Sequence, residues 1–269
     1  LSRQNKSTIY FTYKGIVWKL LADTKSSLLV VESRDEETRK VNFAAIDLET
    51  RKQLWDSLAI KETWWAGLEE VNYGYVVLHG YKDIQNPEHQ GIYVFDARTG
   101  KPVWENAAYT FFSLDEEGLI AYDPLSPERV YKRFNSRNGA IEQELTESEI
   151  ADQWNKDSNT SSLLQNPSHY TLENSYFEKI SNFIEAFTEL KPEMALDYLE
   201  HNSKIIVSFY SKVGEKMVNY LLVVNEEGDV LYNEAIGAEL NGIGLDSFFM
   251  FKEQLIFVKN KKELVILGV

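Results

Sequence analysis

Four histidines, a tryptophan pair and two carboxylates beside aromatic rings are the residues of this chain whose chemistry could reach beyond packing. His79, His89, His169 and His201 stand at no i, i+2 or i, i+4 interval, the spacings that bring two imidazoles onto one ion, so no metal site is expected. His79-Gly80-Tyr81 follows a buried-looking strand and would set an imidazole and a phenol at a strand mouth. Trp64 and Trp65 are adjacent and in a strand would face opposite ways. One would then enter the core and the other be exposed; packing between blades is the expected role, with stacking on a sugar or gripping a peptide as the alternative. The segment 82–90, which contains His89, is a long hairpin tip, expected to be a disordered tip, with a binding loop as the alternative because binding residues gather at such places. Asp197 beside Tyr198 and Asp246 near Phe248 are the carboxylates to inspect for acid–base work, although a glycosidase pair needs a separation that spacing does not give. No catalytic residue is assigned, since Gly-x-Ser-x-Gly, phosphate-loop and dinucleotide patterns are all missing.

Composition narrows the chemistry further. The chain has 269 residues, 43% hydrophobic and 13% aromatic, which is ample for a folded core. Its net charge of -14 repels phosphate, so neither nucleic acid nor an anionic lipid surface is expected as a partner. The acidic clusters 35–37, 69–70, 115–117 and 226–227 are expected to be solvated turns. Cysteine is absent, which removes disulfides, thiol catalysis, iron–sulfur clusters and zinc–thiolate sites together. No run approaches 18 apolar residues, so no membrane insertion is expected. The start at Leu1 lacks the apolar run of a secretory leader, which makes the cytoplasm the default compartment, with a leader already removed as the alternative.

The elements that must position these residues are mostly strands. Segments 28–31, 43–47, 75–79, 91–95 and 119–122 are short, β-branched or aromatic, and bounded by turn residues. The C-terminal part repeats the pattern at 204–210, 218–225, 229–233, 247–251, 254–258 and 263–267. Between them, Thr146-x-x-Glu149 and Ser175-x-x-Glu178 match the capping box. After the second, Phe177, Ile180, Phe183, Ile184, Phe187 and Leu190 recur at helical spacing until Pro192. The apolar stripe of this helix is expected to be buried against the sheets.

A repeat gives the strands an order. Asp47-Leu-Glu-Thr50-Arg51-Lys52-Gln-Leu54-Trp55 returns 49 residues later as Asp96-Ala-Arg-Thr99-Gly100-Lys101-Pro-Val103-Trp104. The Asp can accept from amides two residues on, and the Gly can take the positive φ of a tight turn; in the first copy Arg51 occupies that place. Weaker copies begin near Asn135, Asn225 and Asn260, and 11–18 carries the same turn-then-Trp with no preceding unit. Four-stranded units of roughly 40 to 45 residues make a β-propeller. The expected fold is therefore mainly β: one domain, 1–269, of about five four-stranded antiparallel blades. An N-terminal hairpin at about 9–21 closes it, and a helical insertion spans about 145–192. A sixth blade would follow if 168–173 were a hidden strand.

The pattern Asp-x-x-Thr-Gly-Lys-x-Val-Trp resembles the repeat of quinoprotein-like (PQQ-type) propellers, and Asp96 to Trp104 matches it closely. In that family the Trp packs between neighbouring blades, which implies structural roles for Trp55 and Trp104. The resemblance to quinone dehydrogenases implies a quinone, calcium and a vicinal cysteine pair; the resemblance to outer-membrane assembly lipoproteins implies a lipobox cysteine. This chain has no cysteine, so neither activity nor any cofactor is carried over. As a whole it resembles an uncharacterised bacterial propeller family. The expected function is a non-enzymatic binding or scaffold module for a protein or peptide. The alternative is a carbohydrate-binding or carbohydrate-active propeller, with Trp64, Trp65, His79, Tyr81, His89, Asp197 and Asp246 as the residues to watch in either case.

Overall fold

Apolar residues on each strand alternate between two buried faces, and this decides how the sheets stack. The computed structural model describes residues 8–82, 85, 87–126, 128–146, 148–150, 163–240, 242–244 and 247–269. The chain divides into two compact units, Tyr13–Ser161 and Leu1–Thr12 with Ser162–Val269.

The N-terminal strand β1 (Thr8–Thr12) belongs to the second of these. The Tyr13–Ser161 unit then holds three four-stranded antiparallel meanders. The first sheet is β2 (Ile16–Asp23), β3 (Leu28–Asp35), β4 (Lys40–Asp47) and β5 (Lys52–Trp55); the second is β6 (Ala66–Asn72), β7 (Tyr75–Tyr81), β8 (His89–Asp96) and β9 (Pro102–Asn106). The third is β10 (Thr110–Leu114), β11 (Leu119–Tyr122), β12 (Tyr131–Phe134) and β13 (Ile141–Leu145). On β7, Val76 and Leu78 pack with Leu28, Val30 and Phe43 of the first sheet, while Val77 packs with Leu119, Ala121 and Phe134 of the third. The second sheet is thus buried on both faces, and each fully buried Val, Leu or Phe contributes about 1.5–3 kcal/mol.

The repeat is what locks these sheets together. Asp47 accepts from the amides of Glu49 and Thr50, and Asp96 from that of Thr99, so each Asp shapes its own turn. Trp55 of the first sheet reaches the turn of the second, donating Nε1 to Ala97 O at 2.9 Å and laying its ring on Gly100. Trp104 does the same one sheet on, donating to Ser136 O at 2.9 Å and covering Gly139. Gly100 and Gly139 have φ of +66° and +72°. Arg51 adopts φ 55°, the left-handed conformation a Gly would take more cheaply.

The other unit holds two five-stranded sheets. β14 (Leu164–Gln165) and β15 (Ser168–Thr171) precede a helix, Phe177–Thr188; then come β16 (Ala195–His201), β17 (Lys204–Val213), β18 (Lys216–Asn225) and β19 (Val230–Leu240). β20 (Phe248–Phe251), β21 (Gln254–Lys259) and β22 (Glu263–Gly268) complete the chain. The fourth sheet runs β15-β16-β17-β18-β19 and the fifth β1-β22-β21-β20-β14. With five antiparallel blade sheets and a small helical insertion, the fold is mainly β and of the propeller class.

Three local expectations need correction. Residues 9–21 do not form one hairpin: β1 pairs with β22, from Thr8↔Leu267 to Thr12↔Glu263, and β2 pairs with β3. Gly15, between them, lies so close to Arg34 that a Cβ would sit 2.2 Å from its carbonyl carbon. The chain there is pressed against β3 instead of turning back on itself. Residues 168–171 are a strand, but they extend the edge of β16 and add no sixth sheet. The capping box at Thr146 and Glu149 forms in both directions, with Thr146 N donating to Glu149 Oε2 at 2.8 Å and Glu149 N to Thr146 Oγ1 at 3.4 Å. At the second box Tyr176, not Ser175, is the N-cap, without a side-chain cap bond, and the helix stops at Glu189 in a left-handed conformation before reaching Pro192. Its stripe of Phe177, Ile180, Phe183, Ile184 and Phe187 packs on Leu196, Val207, Phe209 and Leu222 of the fourth sheet, as the periodicity requires.

Candidate functional site

The hairpin between β7 and β8 brings two of the four histidines together. Lys82 N donates to Glu88 O at 3.0 Å, and this places Tyr81 opposite His89. Nearer the middle of the sheet His79 pairs with Ile92, so β8 has two residues between these pairs where β7 has one. Alternation from Ile92 would bring Gln90 to the face of His79; the extra residue brings His89 instead. Gly91, at φ +92°, supplies the left-handed conformation that a bulge of this kind favours. On the other side β6 pairs Gly67 with His79 and has its own irregularity between Leu68 and Glu70. Glu69 is the extra residue there, and it joins the two imidazoles.

Glu69 Oε2 accepts a hydrogen bond from His79 Nδ1 and stands 3.3 Å from His89 Nδ1. The imidazoles stack, with centroids 3.5 Å apart and planes 10° apart. Tyr81 meets both edge-on, at 5.1 and 5.4 Å, and Trp65 meets Tyr81 edge-on at 5.7 Å. Side-chain exposure rises outward from 7% at His79 through 22% at Glu69 to 42% at His89, so the cluster has one wet end. A Cβ on Gly67 would come within 2.5 Å of the His79 ring, which is why that ring can lie where it does. Its Nε2 is buried with no hydrogen-bond partner among the described residues.

The neighbouring sheets hold this cluster in place. Glu32, buried on β3, accepts from Arg34 Nε at 2.6 Å and from Leu68 N at 2.7 Å. Arg34 then donates to Trp64 O at 3.0 Å and Ala66 O at 2.7 Å, with its guanidinium 5.7 and 5.3 Å from the ring centroids of Trp18 and Trp64. Lys19 Nζ donates to Leu68 O at 2.7 Å. Residues 64–68, which lead into Glu69, are therefore fixed from the first sheet. From the third, Thr110 Oγ1 donates to His89 O at 2.7 Å.

Electrostatics follow from that geometry. Burial works to raise the Glu69 carboxyl, but the hydrogen bond from His79 and the nearby His79, His89 and Lys19 charges outweigh it and hold the group below 4.5. Because a carboxylate only accepts, His79 carries its proton on Nδ1. Burial first, and then the charge of His79, hold His89 below 6.5 in spite of Glu69. Both shifts mean that the unfolded chain binds more protons than the folded one. Stability is expected to fall as pH drops below about 6.5, where the unfolded His89 protonates, and again below about 4.5 as Glu69 protonates. Urea midpoints measured from neutral pH downward check this; His89→Gln should abolish the upper step and, because the His89 charge helps hold Glu69 down, make the lower one smaller.

His89 also borders a cavity of about 550 Å³ between the second and third sheets. Glu88, Phe111, Tyr122, Asp123 and Arg129 line it, with the Arg129 guanidinium 4.7 Å from the Tyr122 ring centroid.

Of the residues singled out in the sequence, Trp65, His79, Tyr81 and His89 form one cluster, and Trp64 lies on the Arg34 clasp beside it. Neither Trp64 nor Trp65 is exposed; both are half-buried in the segment before β6, whereas Trp18 is 62% exposed. Asp197 lies elsewhere, buried on β16, where it accepts from His169 Nδ1 at 2.7 Å and from the Ser247 amide and hydroxyl at 3.1 and 2.6 Å. These bonds tie β16 to β15 and to the residue that precedes β20. Asp246 is outside the described residues. Glu69 had been assigned to a solvated turn and instead lies within β6. The expectation of no metal site rested on intervals within one element, yet ligand atoms of Glu69, His79 and His89, from three strands, come within 4.8 Å of one another. A hairpin centred near residue 85 was the signal that could have paired 79 and 81 with 89.

A family model described as a domain of unknown function, DUF4905, matches residues 22–104, which include Glu69, His79 and His89. No curated protein sequence matches the chain. Among solved structures, a eukaryotic initiation factor aligns at 8% identity and a TM-score of 0.34, over 93% of this chain and 53% of that one. An acylaminoacyl peptidase from Pyrococcus horikoshii aligns at 12% and 0.32, over 96% and 40%. The β-propeller domain of the Trilobed protease from Pyrococcus furiosus aligns at 10% and 0.32, over 92% and 83%. The chain thus spans about half the length of the first of these proteins and less of the second. Among the described residues no helix is long and apolar enough to cross a membrane.

Proposed function

We propose that this chain is a non-enzymatic binding module, a propeller of quinoprotein-like repeats whose recognition site is the cavity between the second and third sheets, and that its partner is a peptide segment of another protein. The observation that carries this reading is the lining of that cavity. Arg129 offers a fork for a carboxylate or carbonyl, Glu88 and Asp123 offer acceptors for backbone amides, and Phe111 and Tyr122 offer apolar faces for a side chain. The 82–90 hairpin, read as a binding loop, contributes Glu88 and His89 to this rim. The docking of Trp55 and Trp104 on the next turn's Gly supports the type of repeat.

Selection of displayed random peptides on the immobilised chain tests this. Enriched sequences should share a motif, and their binding should weaken about tenfold or more in Arg129→Ala and in Tyr122→Ala, as for residues at the centre of an interface. A glycan array is the second arm, because Tyr122 beside Asp123 and Glu88 is also a set that could hold a sugar. Saturable glycan binding lost in both variants, with no peptide motif, would replace the peptide reading.

A further inference from the structure

We propose that Glu69, His79 and His89 form a binding site for one borderline divalent transition-metal ion, with zinc the ion that fits best. This goes beyond the peptide reading of the adjoining cavity and does not depend on it. Two imidazoles and a carboxylate, with a fourth position open, are the donor set of many open zinc sites. Magnesium and calcium want more oxygen than these residues offer. The three ligand atoms already lie within 4.8 Å of one another. Around a tetrahedral ion with bonds of about 2.0–2.1 Å they would stand roughly 3.4 Å apart, so the adjustment is small in distance.

The adjustment in angle falls on His89. Rings with centroids 3.5 Å apart and planes 10° apart keep their lone pairs in nearly parallel planes, whereas two imidazoles on one ion must aim at a common point. His79 is held by burial and by Gly67, but His89 is 42% exposed and can turn. The entry route is the same wet end. On binding, His79 Nδ1 must give up its proton, and the neutral ring then carries one on Nε2. That proton then sits on an atom with no partner among the described residues, and Lys19, bonded to the carbonyl of Leu68 beside Glu69, adds a positive charge; both are costs that the ion must offset. In favour of the site are three adjacent strands whose two irregularities converge on one point, bringing the three ligand atoms together.

The test uses chelator-treated full chain and the metal alone. Calorimetric titration with zinc should give one ion per chain, and magnesium should give none. Glu69→Gln and His89→Gln should each weaken zinc binding by at least about tenfold, with circular dichroism showing that both variants fold. Cobalt in place of zinc should develop the strong visible bands of a four-coordinate site, lost in His89→Gln. Zinc binding no tighter in the wild type than in His89→Gln would overturn the proposal. So would several weak ions per chain, indifferent to both substitutions, as surface carboxylates on a chain of charge -14 would give. No peptide is present in these measurements, so their failure and the failure of the peptide reading are separate results.

Discussion

Glu32→Ala is expected to cost about 3–5 kcal/mol of stability, the usual penalty for removing one partner of a buried ion pair. Glu32 is 2% exposed and Arg34 11%, so neither end of the pair is open to replacement by water. The loss leaves a guanidinium without its counter-charge and the Leu68 amide without its acceptor. Glu32→Gln keeps an acceptor for Leu68 and should lose less. The double variant Glu32→Ala/Arg34→Met should lose less than the sum of its singles, because the second change removes the stranded charge. Urea unfolding with an unchanged m-value is the measurement. The effect should reach the cluster too: once the hold on 64–68 loosens, Glu69 loses its fixed approach, and the His79 and His89 ring resonances should shift. Independent singles, or an undisturbed His79–His89 pair, would refute the clasp.

Trp104→Ala is expected to cost about 3–5 kcal/mol, as for truncation of a large aromatic at a packed site. The ring donates to Ser136 O, stacks near Phe134 at 6.0 Å and covers Gly139. The sharper comparison is between the two glycines. A Cβ at Gly139 would come to 2.8 Å from the Trp104 ring, while one at Gly100 would come to 3.1 Å from the Trp55 ring. Both also bear the left-handed φ, worth about 1–2 kcal/mol for an L-residue, so overpacking of about 1–3 kcal/mol separates them. Gly139→Ala should therefore melt below Gly100→Ala. In Trp104→Ala/Gly139→Ala the overpacking vanishes and only the φ cost of Gly139→Ala remains, so the pair should be non-additive. Equal melting of the two glycine variants would mean that the Trp does not dock as described.

The repeat was legible in the sequence because its physics is local. Asp47 and Asp96 bond amides two or three residues away, and Gly100 serves its own turn. A strand buried on both faces, such as 204–210, reads as a continuous apolar run because Ile206 and Val207 face different cores. The cluster was half legible. His79, Tyr81 and His89 stood out as residues, but their meeting depends on two irregularities that shift the register by one, and alternation alone would have chosen Gln90. Glu69 had no mark in the sequence beyond an acidic pair. Asp197 drew notice for its aromatic neighbour, while its actual partners are His169 and Ser247, 28 and 50 positions away. Distances along the chain of that size carry no local signal.

The pairing of β1 with β22 has a consequence for synthesis. Tyr13–Ser161 is one continuous stretch and can complete its three sheets as soon as it leaves the ribosome, whereas β1 is made before it and the partner of β1 only after about a hundred further residues. At roughly 5–20 residues per second the wait between Thr12 and Glu263 is on the order of 10–50 seconds. Through that interval Thr8–Thr12 is an unpaired strand tethered to a folded neighbour, and the fifth sheet cannot finish until Glu263–Gly268 has been made. A stalled or slowed ribosome would prolong the exposure of that one strand and leave the Tyr13–Ser161 sheets untouched.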